Sequence, residues 1–338
     1  TNHIPKMGKI NRRTFCGVTL GAGVLAGVSG LNAAPAISNY AGPDADAGSP
    51  DSPQIIDTNV SLGQWPFRHL KYEGPKALGD KLRKHRIRQA WAGSFEGLFH
   101  KNLDAVNAAL AADCKSYGGN FFQPFGTVNI AWHDWQEDLR RCHEVYKMKG
   151  IRIFPSYQTF DLTHEDFPKL MSEIAKRGLV LQVVGDMEDS RNHHPIVLAR
   201  DFSYAPLIPL LKQNPGAKVQ LLYWNHRVSA KLMDDLVDNT KVLFDTARIE
   251  SAGGIDALLD GNKNQKTRVF SFGGMERTLS EIPWGRSSKP VPAERLAFGS
   301  HAPFFPVEAN LLKLFESDLT LEQSKAIMES NAGKLVTT

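Results

Sequence analysis

The chain has 338 residues, 42% of them hydrophobic and 22% charged, with 28 Gly, 19 Pro and 3 Cys. That composition supports a packed core and excludes both a disordered chain and a disulfide-stapled miniprotein. The formal charge of +4 is local: Lys6, Lys9, Arg12 and Arg13 precede residue 37, no Asp or Glu does, and the remaining 36 basic residues balance 36 acidic ones. A neutral body offers no electrostatic footprint for nucleic acid or an anionic membrane, so a small-molecule substrate is the expected partner.

At the N-terminus, Asn11-Arg12-Arg13-Thr14-Phe15 precedes an apolar, Gly-rich run from Cys16 to Leu31, and Ala34-Pro35-Ala36 follows with small residues at both recognition positions. This is the layout of a secretory signal, and the paired arginines resemble the twin-arginine class, with Met7 as the candidate start. A stretch so full of Gly, Ala, Ser and Thr, with no charged stop sequence, is a poor membrane span. Residues 1–36 are therefore expected to be removed on export to the periplasm, leaving no stable membrane anchor. Residues 37–52, rich in Ala, Gly, Asp, Ser and Pro, read as a linker to a domain over 53–338.

Within that domain, strand candidates fall at 54–60, 87–93, 121–128, 150–155, 179–184, 218–223, 241–245 and 295–299. Helical patterns lie between them near 74–85, 101–117, 134–148, 164–177, 203–214, 229–238, 251–261 and 307–337. Eight strands each followed by a helix predict an α/β chain closed as a (β/α)8 TIM-like barrel. An open doubly wound sheet would show a Gly-rich phosphate turn after its first strand, and Asp57-Thr58-Asn59-Val60-Ser61-Leu62-Gly63 lacks that spacing. The segment 261–292 reads as the single irregular insertion, placed to cover the barrel mouth or to contact a second copy in a homo-oligomer. Cys114 and Cys142 sit in two different helical patterns and read as buried free thiols, with a disulfide between them as the unsupported alternative.

Active sites of such barrels gather where strands end. Those ends carry Asp57, Asn59 and Ser61; Ser94 and Glu96; Asn129 and His133; Arg152 and Tyr157; Asp186 and Glu188; Asn225 and His226; Asp245 and Arg248; and Ser300 and His301.

Four stretches then resemble one family. They are Gln54-Ile55-Ile56-Asp57-Thr58-Asn59, Lys149-Gly150-Ile151-Arg152-Ile153-Phe154-Pro155, Arg295-Leu296-Ala297-Phe298-Gly299-Ser300-His301-Ala302-Pro303 and Ser330-Asn331-Ala332-Gly333-Lys334-Leu335. Together they resemble the amidohydrolase-related family (amidohydrolase family 2), and a bacterial branch of it at Asp57 through Arg68 and Gly299 through Phe305. The resemblance covers roughly residues 53–338 and implies a distorted barrel of metal-dependent hydrolases and decarboxylases. Metal-bearing members usually have D-x-H-x-H on the first strand, where this chain has Asn59 and Ser61. The fifth-strand histidine has no counterpart between Gln182 and Asp186, the sixth-strand one falls at Asn225 or His226, and the eighth-strand aspartate is His301. Amides and hydroxyls are poor zinc ligands, so no metal ligand is assigned and no cofactor is expected; a divalent metal such as zinc at a rearranged site stays as the alternative.

The remaining chemistry is acid–base. His301 would take and return a proton, and Asp57 would orient it, because first and last strands are neighbours in a closed barrel. His301 could instead cap a buried loop. Arg152, on an apolar strand, would clamp a substrate carboxylate or close an internal ion pair. By resemblance, Glu188 joins the catalytic set and His194 the substrate-binding one. Asn59, Arg68 and Asn225 are placed with Arg152 around the substrate, and Trp65, Phe67, Phe304 and Phe305, flanking the first and last strand ends, would wall the pocket or else pack the core. The expected function is an exported hydrolase or decarboxylase of a small organic substrate, with a non-catalytic ligand-binding barrel as the alternative.

Overall fold

The computed structural model describes residues 54–261, 268–272, 275–279 and 287–336, with only the backbone described for 268–272 and 275–279. The expected leader and linker, 1–36 and 37–52, lie outside the described residues. Strands β1 (Ile55–Leu62), β2 (Ile87–Ser94), β3 (Phe122–Gly126), β4 (Gly150–Ile153), β5 (Val180–Val184), β6 (Lys218–Leu222) and β7 (Leu243–Asp245) alternate with helices α1 (Pro75–Arg83), α2 (Leu103–Ser116), α3 (Trp135–Glu144), α4 (Phe167–Lys176), α5 (Leu207–Gln213), α6 (Ala230–Asn239) and α7 (Gly254–Asp260). A hairpin of β8 (Arg268–Phe272) and β9 (Met275–Leu279) follows, then β10 (Leu296–Ala297) and α8 (Val307–Phe315).

Eight strands pair in parallel in the order β1-β2-β3-β4-β5-β6-β7-β10. The ring closes through the chain just beyond β10. Thr58 N donates to Phe298 O at 2.9 Å, His301 N to Asn59 O at 2.9 Å and Ser61 N to Ala302 O at 3.0 Å. The expected barrel is therefore present, its last strand being β10 because the hairpin intervenes. The insertion read as irregular carries that antiparallel hairpin; Gly273-Gly274 between two alternating runs was the overlooked signal.

The strands are apolar runs because both faces are covered: β1 and β5 are buried along their whole length. The helices are amphipathic; α4 buries Phe167, Leu170, Met171 and Ile174, spaced as one helical face. Inside the barrel the side chains form layers. Ile56, Trp91, Phe125 and Val180 fill the end where strands begin, closed by Ala332. Above them sits a polar layer of Thr58, Arg152, Gln182 and Gln220, and above that an apolar layer including Phe95, Phe154, Val184, Leu222 and Tyr223. The Ser330-Asn331-Ala332-Gly333 motif has a structural use: Asn331 Nδ2 donates to Ala293 O at 2.8 Å and Leu296 O at 2.9 Å, pinning the start of the last barrel strand. Cys114 and Cys142 are buried free thiols on α2 and α3, as expected. Among the described residues no helix is long and apolar enough to cross a membrane.

Candidate active site

β1 carries the irregularity that shapes the site. Asp57 pairs with Ala90 and Val60 with Ala92, so Thr58 and Asn59 together face Trp91, as in a β-bulge. Simple alternation would point them to opposite faces. Here both reach interior groups: Thr58 Oγ1 accepts from Gln220 Nε2 at 2.7 Å and donates to Phe298 O at 2.8 Å, while Asn59 contacts Tyr223 and Asp245. Backbones approach closely there. A Cβ on Gly299 would lie 2.9 Å from Asp245 Oδ2 and 3.0 Å from Asn59 Cβ, which explains the glycine.

Arg152 is 1% exposed and does not close the internal ion pair that was one of its two expected roles. Its Nε donates to Gln182 Oε1 at 2.8 Å, Nη1 to Val60 O at 2.8 Å and to Ser61 Oγ at 3.5 Å, and Nη2 to Trp91 O at 3.2 Å. All these acceptors are neutral protein groups, so the guanidinium frames the barrel interior and closes no ion pair. Burial lowers its pKa to about 10, with Tyr223, Asp245 and Asp57 opposing through their charges.

His301 has no exposed surface, and the expected Asp57–His301 contact is not made. Its Nε2 lies 2.8 Å from Met187 O and its Nδ1 2.6 Å from the Tyr223 hydroxyl. Asp57 Oδ1 instead accepts from Ser300 N at 2.9 Å and Asn59 N at 3.1 Å. The strand closure causes this, since it lays the backbone N–H of Ser300 over the carboxylate. Burial pushes the Asp57 pKa up to about 7 against those hydrogen bonds, pushes Asp245 up to about 6 and pushes His301 down to about 3. Tyr223 and His301 both hold left-handed backbone, φ +52° and +59°, a strain bulky residues adopt rarely and one that concentrates at functional sites.

Above His301 lies an aromatic cover. Phe304 stacks on it, Trp65 meets Phe304 edge-on at 5.2 Å, and the Arg68 guanidinium sits 4.6 Å from the Phe304 centroid on its way to an ion pair with Glu188. Beside this cover a pocket of about 270 Å³ is lined by residues including Asp186, Glu188, His193, His226, Arg227 and Arg248. Arg227 pairs with Asp186 and Asp201, and Arg248 Nη1 donates to Asp186 O at 2.6 Å. His194 stacks on Phe67 at 4.9 Å, and its neighbour His193 lines the pocket instead. Asn225 donates to Arg248 O. A larger recess of about 770 Å³ opens at the opposite end, between Gln89, Gln123 and Lys149. Chemistry in such folds belongs to the strand C-termini, so the smaller pocket is the candidate site.

The structure thus gathers His301, Asn59, Asp57 and Arg152 in the interior, and Glu188, Arg68 and Asn225 at the rim. Tyr223 and Asp245 are the residues that sequence reasoning passed over as site members. In the sequence Tyr223 closes an apolar strand run, and Asp245 is one polar strand end among many.

No family model matches the chain, and no curated protein does. Solved structures match in fold. A 2,6-dihydroxybenzoate decarboxylase from Rhizobium superposes with a TM-score of 0.57 at 13% identity, covering 84% of this chain and 99% of that one. A 5-carboxyvanillate decarboxylase from Sphingomonas paucimobilis gives 0.55 at 10% identity, covering 84% and 99%. One from Novosphingobium aromaticivorans, solved with bound manganese and 3-methoxy-4-hydroxy-5-nitrobenzoic acid, gives 0.54 at 14% identity, covering 86% and 98%. The chain shares the (β/α)8 barrel fold of these proteins.

The manganese bound in the Novosphingobium structure raises the question of a metal here, and the side chains at the corresponding strand ends do not fit one. Asn59 is held between Asp245 and Tyr223, Ser61 Oγ faces Arg152 Nη1, and Gln182 is used by Arg152, Gln220 and Thr58. A guanidinium bonded to the carbonyl of Val60, between Asn59 and Ser61, puts a positive charge beside these two strand-end residues and disfavours a divalent cation there. No group of three His, Cys, Asp or Glu that could hold a metal occurs among the described residues.

Proposed function

We propose that this protein is an amidohydrolase-like enzyme that hydrolyses or decarboxylates a small organic substrate by acid–base chemistry without a metal, and that it works after export. One observation carries the reading. Arg248 of the pocket lining and Asn225 bonded to it each keep a buried polar atom, Nε and Oδ1, that makes no hydrogen bond among the described residues. Asp57 Oδ2 and Ser156 Oγ do the same at neighbouring strand ends, although other such atoms, Lys218 Nζ and Asn331 Oδ1 among them, lie elsewhere. An unpaired buried group beside a pocket is a place where another molecule can supply the partner. In this reading Arg248 and Arg227 orient the substrate, Glu188 works at the pocket wall beside Arg68, and His301 with Tyr223 and Asp245 manages protons beneath it. Export rests on the Arg12-Arg13 leader pattern.

The seal over His301 favours a second reading, a barrel that binds a ligand without turning it over, because a base must come within hydrogen-bond reach of the proton it takes. A panel of small aromatic acids, scored for CO2 release, and of amides and lactones, scored for hydrolysis, tests the first reading with and without chelator. Turnover that survives chelation and is lost in Arg248→Met and His301→Gln supports it. Thermal stabilisation by a panel member with no turnover supports the second.

A further inference from the structure

Four side chains form one continuous chain across the barrel mouth. Met187 O lies 2.8 Å from His301 Nε2, His301 Nδ1 lies 2.6 Å from Tyr223 Oη, Tyr223 Oη lies 2.6 Å from the Asn59 amide, and that amide lies 2.6 Å from Asp245 Oδ2. All four side chains are buried. Both ends of the chain are acceptors, a carbonyl oxygen and an ionised carboxylate. Four links need four hydrogens. A neutral imidazole supplies one, the phenol one, and the amide one, since in either orientation it presents a donor to one neighbour and an acceptor to the other. The count is one short.

We propose that this chain binds one proton as a unit shared by Asp245 and His301 through Tyr223 and Asn59, and that losing it leaves one of the two His301 contacts without a hydrogen. With the proton on Asp245, the carboxyl donates to the Asn59 carbonyl, the amide nitrogen donates to Tyr223 Oη, the phenol donates to Nδ1, and Nε2–H donates to Met187 O. With the proton on His301, the imidazolium donates at both nitrogens, the phenol donates to the Asn59 carbonyl, and the amide nitrogen donates to ionised Asp245. Either way every contact is satisfied. Once the proton leaves, ionised Asp245 draws the amide N–H, the amide oxygen draws the phenol, and one imidazole hydrogen must serve both Tyr223 Oη and Met187 O. One ring nitrogen is then bare and faces an oxygen lone pair. Met187 lies between pocket-lining Asp186 and Glu188, so the contact at risk runs through the pocket wall.

The surroundings bear on both ends. Asp245 also accepts from Tyr223 N at 3.1 Å and is acted on by Lys313 of α8, Arg152 of β4, Asp57 of β1 and Tyr204 before α5. His301 is acted on by Arg248, Arg152 and Arg68, all of which oppose an imidazolium. The shared proton therefore rests chiefly on Asp245, whose burial already holds it above the ordinary carboxylate range. The inference gives the acid–base reading its proton store, and it rests on that reading only for its use, not for its existence.

The test is a pH titration by NMR of the full chain labelled with 13C-aspartate and 15N-histidine, which needs no substrate. The Asp245 carboxyl carbon and the His301 ring nitrogens are expected to move together with one midpoint. Separate midpoints, or a His301 signal that stays still while Asp245 ionises, would overturn the proposal on the native sequence alone. In Asp245→Asn a second amide supplies the missing donor, so the His301 movement is expected to vanish; its persistence would also overturn the proposal. In Tyr223→Phe, Asp245 is expected to titrate without His301 following. Because turnover is not measured, shared titration without activity would leave the chain standing and sink the enzymatic reading, and activity without shared titration would do the reverse.

Discussion

Phe304 lies flat on His301, ring centroids 4.7 Å apart and planes 3° from parallel. With Phe305 edge-on at 5.0 Å and the tilted Tyr223 ring at 4.1 Å, it helps account for the complete burial of the imidazole. The stack sits beneath Arg68, whose pairing with Glu188 ties the cover to the pocket rim.

Removing that cover should expose the histidine. Phe304→Ala is expected to cost about 2 kcal/mol, less than a fully buried phenylalanine because the ring is partly exposed. Diethyl pyrocarbonate followed by peptide mass spectrometry should then find His301 modified in the variant and protected in the native protein. Equal protection in both would show that other groups seal the imidazole.

Asp57 makes stability depend on pH. Its folded-state pKa is raised to about 7 from an ordinary 3.8, so the unfolded chain loses the proton first as pH rises, and stability present below 3.8 is lost up to about 7. Asp245, raised to about 6, acts in the same sense, whereas His301, lowered from 6.5 to about 3, gains stability as pH rises between those values. Asp57→Asn removes the larger acid contribution, on the order of 4 kcal/mol when complete. Denaturant midpoints at about pH 5 and about pH 8 should fall less in the variant than in the native chain. Parallel falls would mean that Asp57 ionises normally.

Gly93 leaves room for Arg152. A Cβ there would lie 2.7 Å from Nη1 and 2.8 Å from Cδ of the arginine, whose position is fixed by its hydrogen bonds. Gly93→Ala is expected to destabilise the barrel by about 1–3 kcal/mol, the usual result of overpacking, read as a lower denaturant midpoint at unchanged slope. An unchanged midpoint would show that the guanidinium moves aside freely.

The fold was legible because a parallel barrel writes itself as buried apolar runs alternating with amphipathic helices, and every expected barrel strand has its counterpart. The hairpin escaped because its two short alternating runs were embedded in polar, Pro-rich sequence. At the site, the polar strand ends pointed to the correct face of the barrel, but pairings across it were hidden. Asp57 was matched to His301 from strand adjacency alone, yet the bulge at Thr58–Asn59 and the closure at Ser300 hand Asp57 to a backbone N–H. Tyr223 looked like a strand residue, and only the left-handed turn after β6 aims its hydroxyl at His301. Such turns leave no periodic trace in a sequence.

The central claim is that the strand-end side chains work without a metal. The most direct measurement is the metal content of the full chain, purified without chelator or polyhistidine tag after growth with added zinc and manganese, alongside His301→Ala. The account predicts substoichiometric metal in both proteins. Stoichiometric zinc or manganese in the native chain, lost in His301→Ala, would contradict it and place His301 among metal ligands.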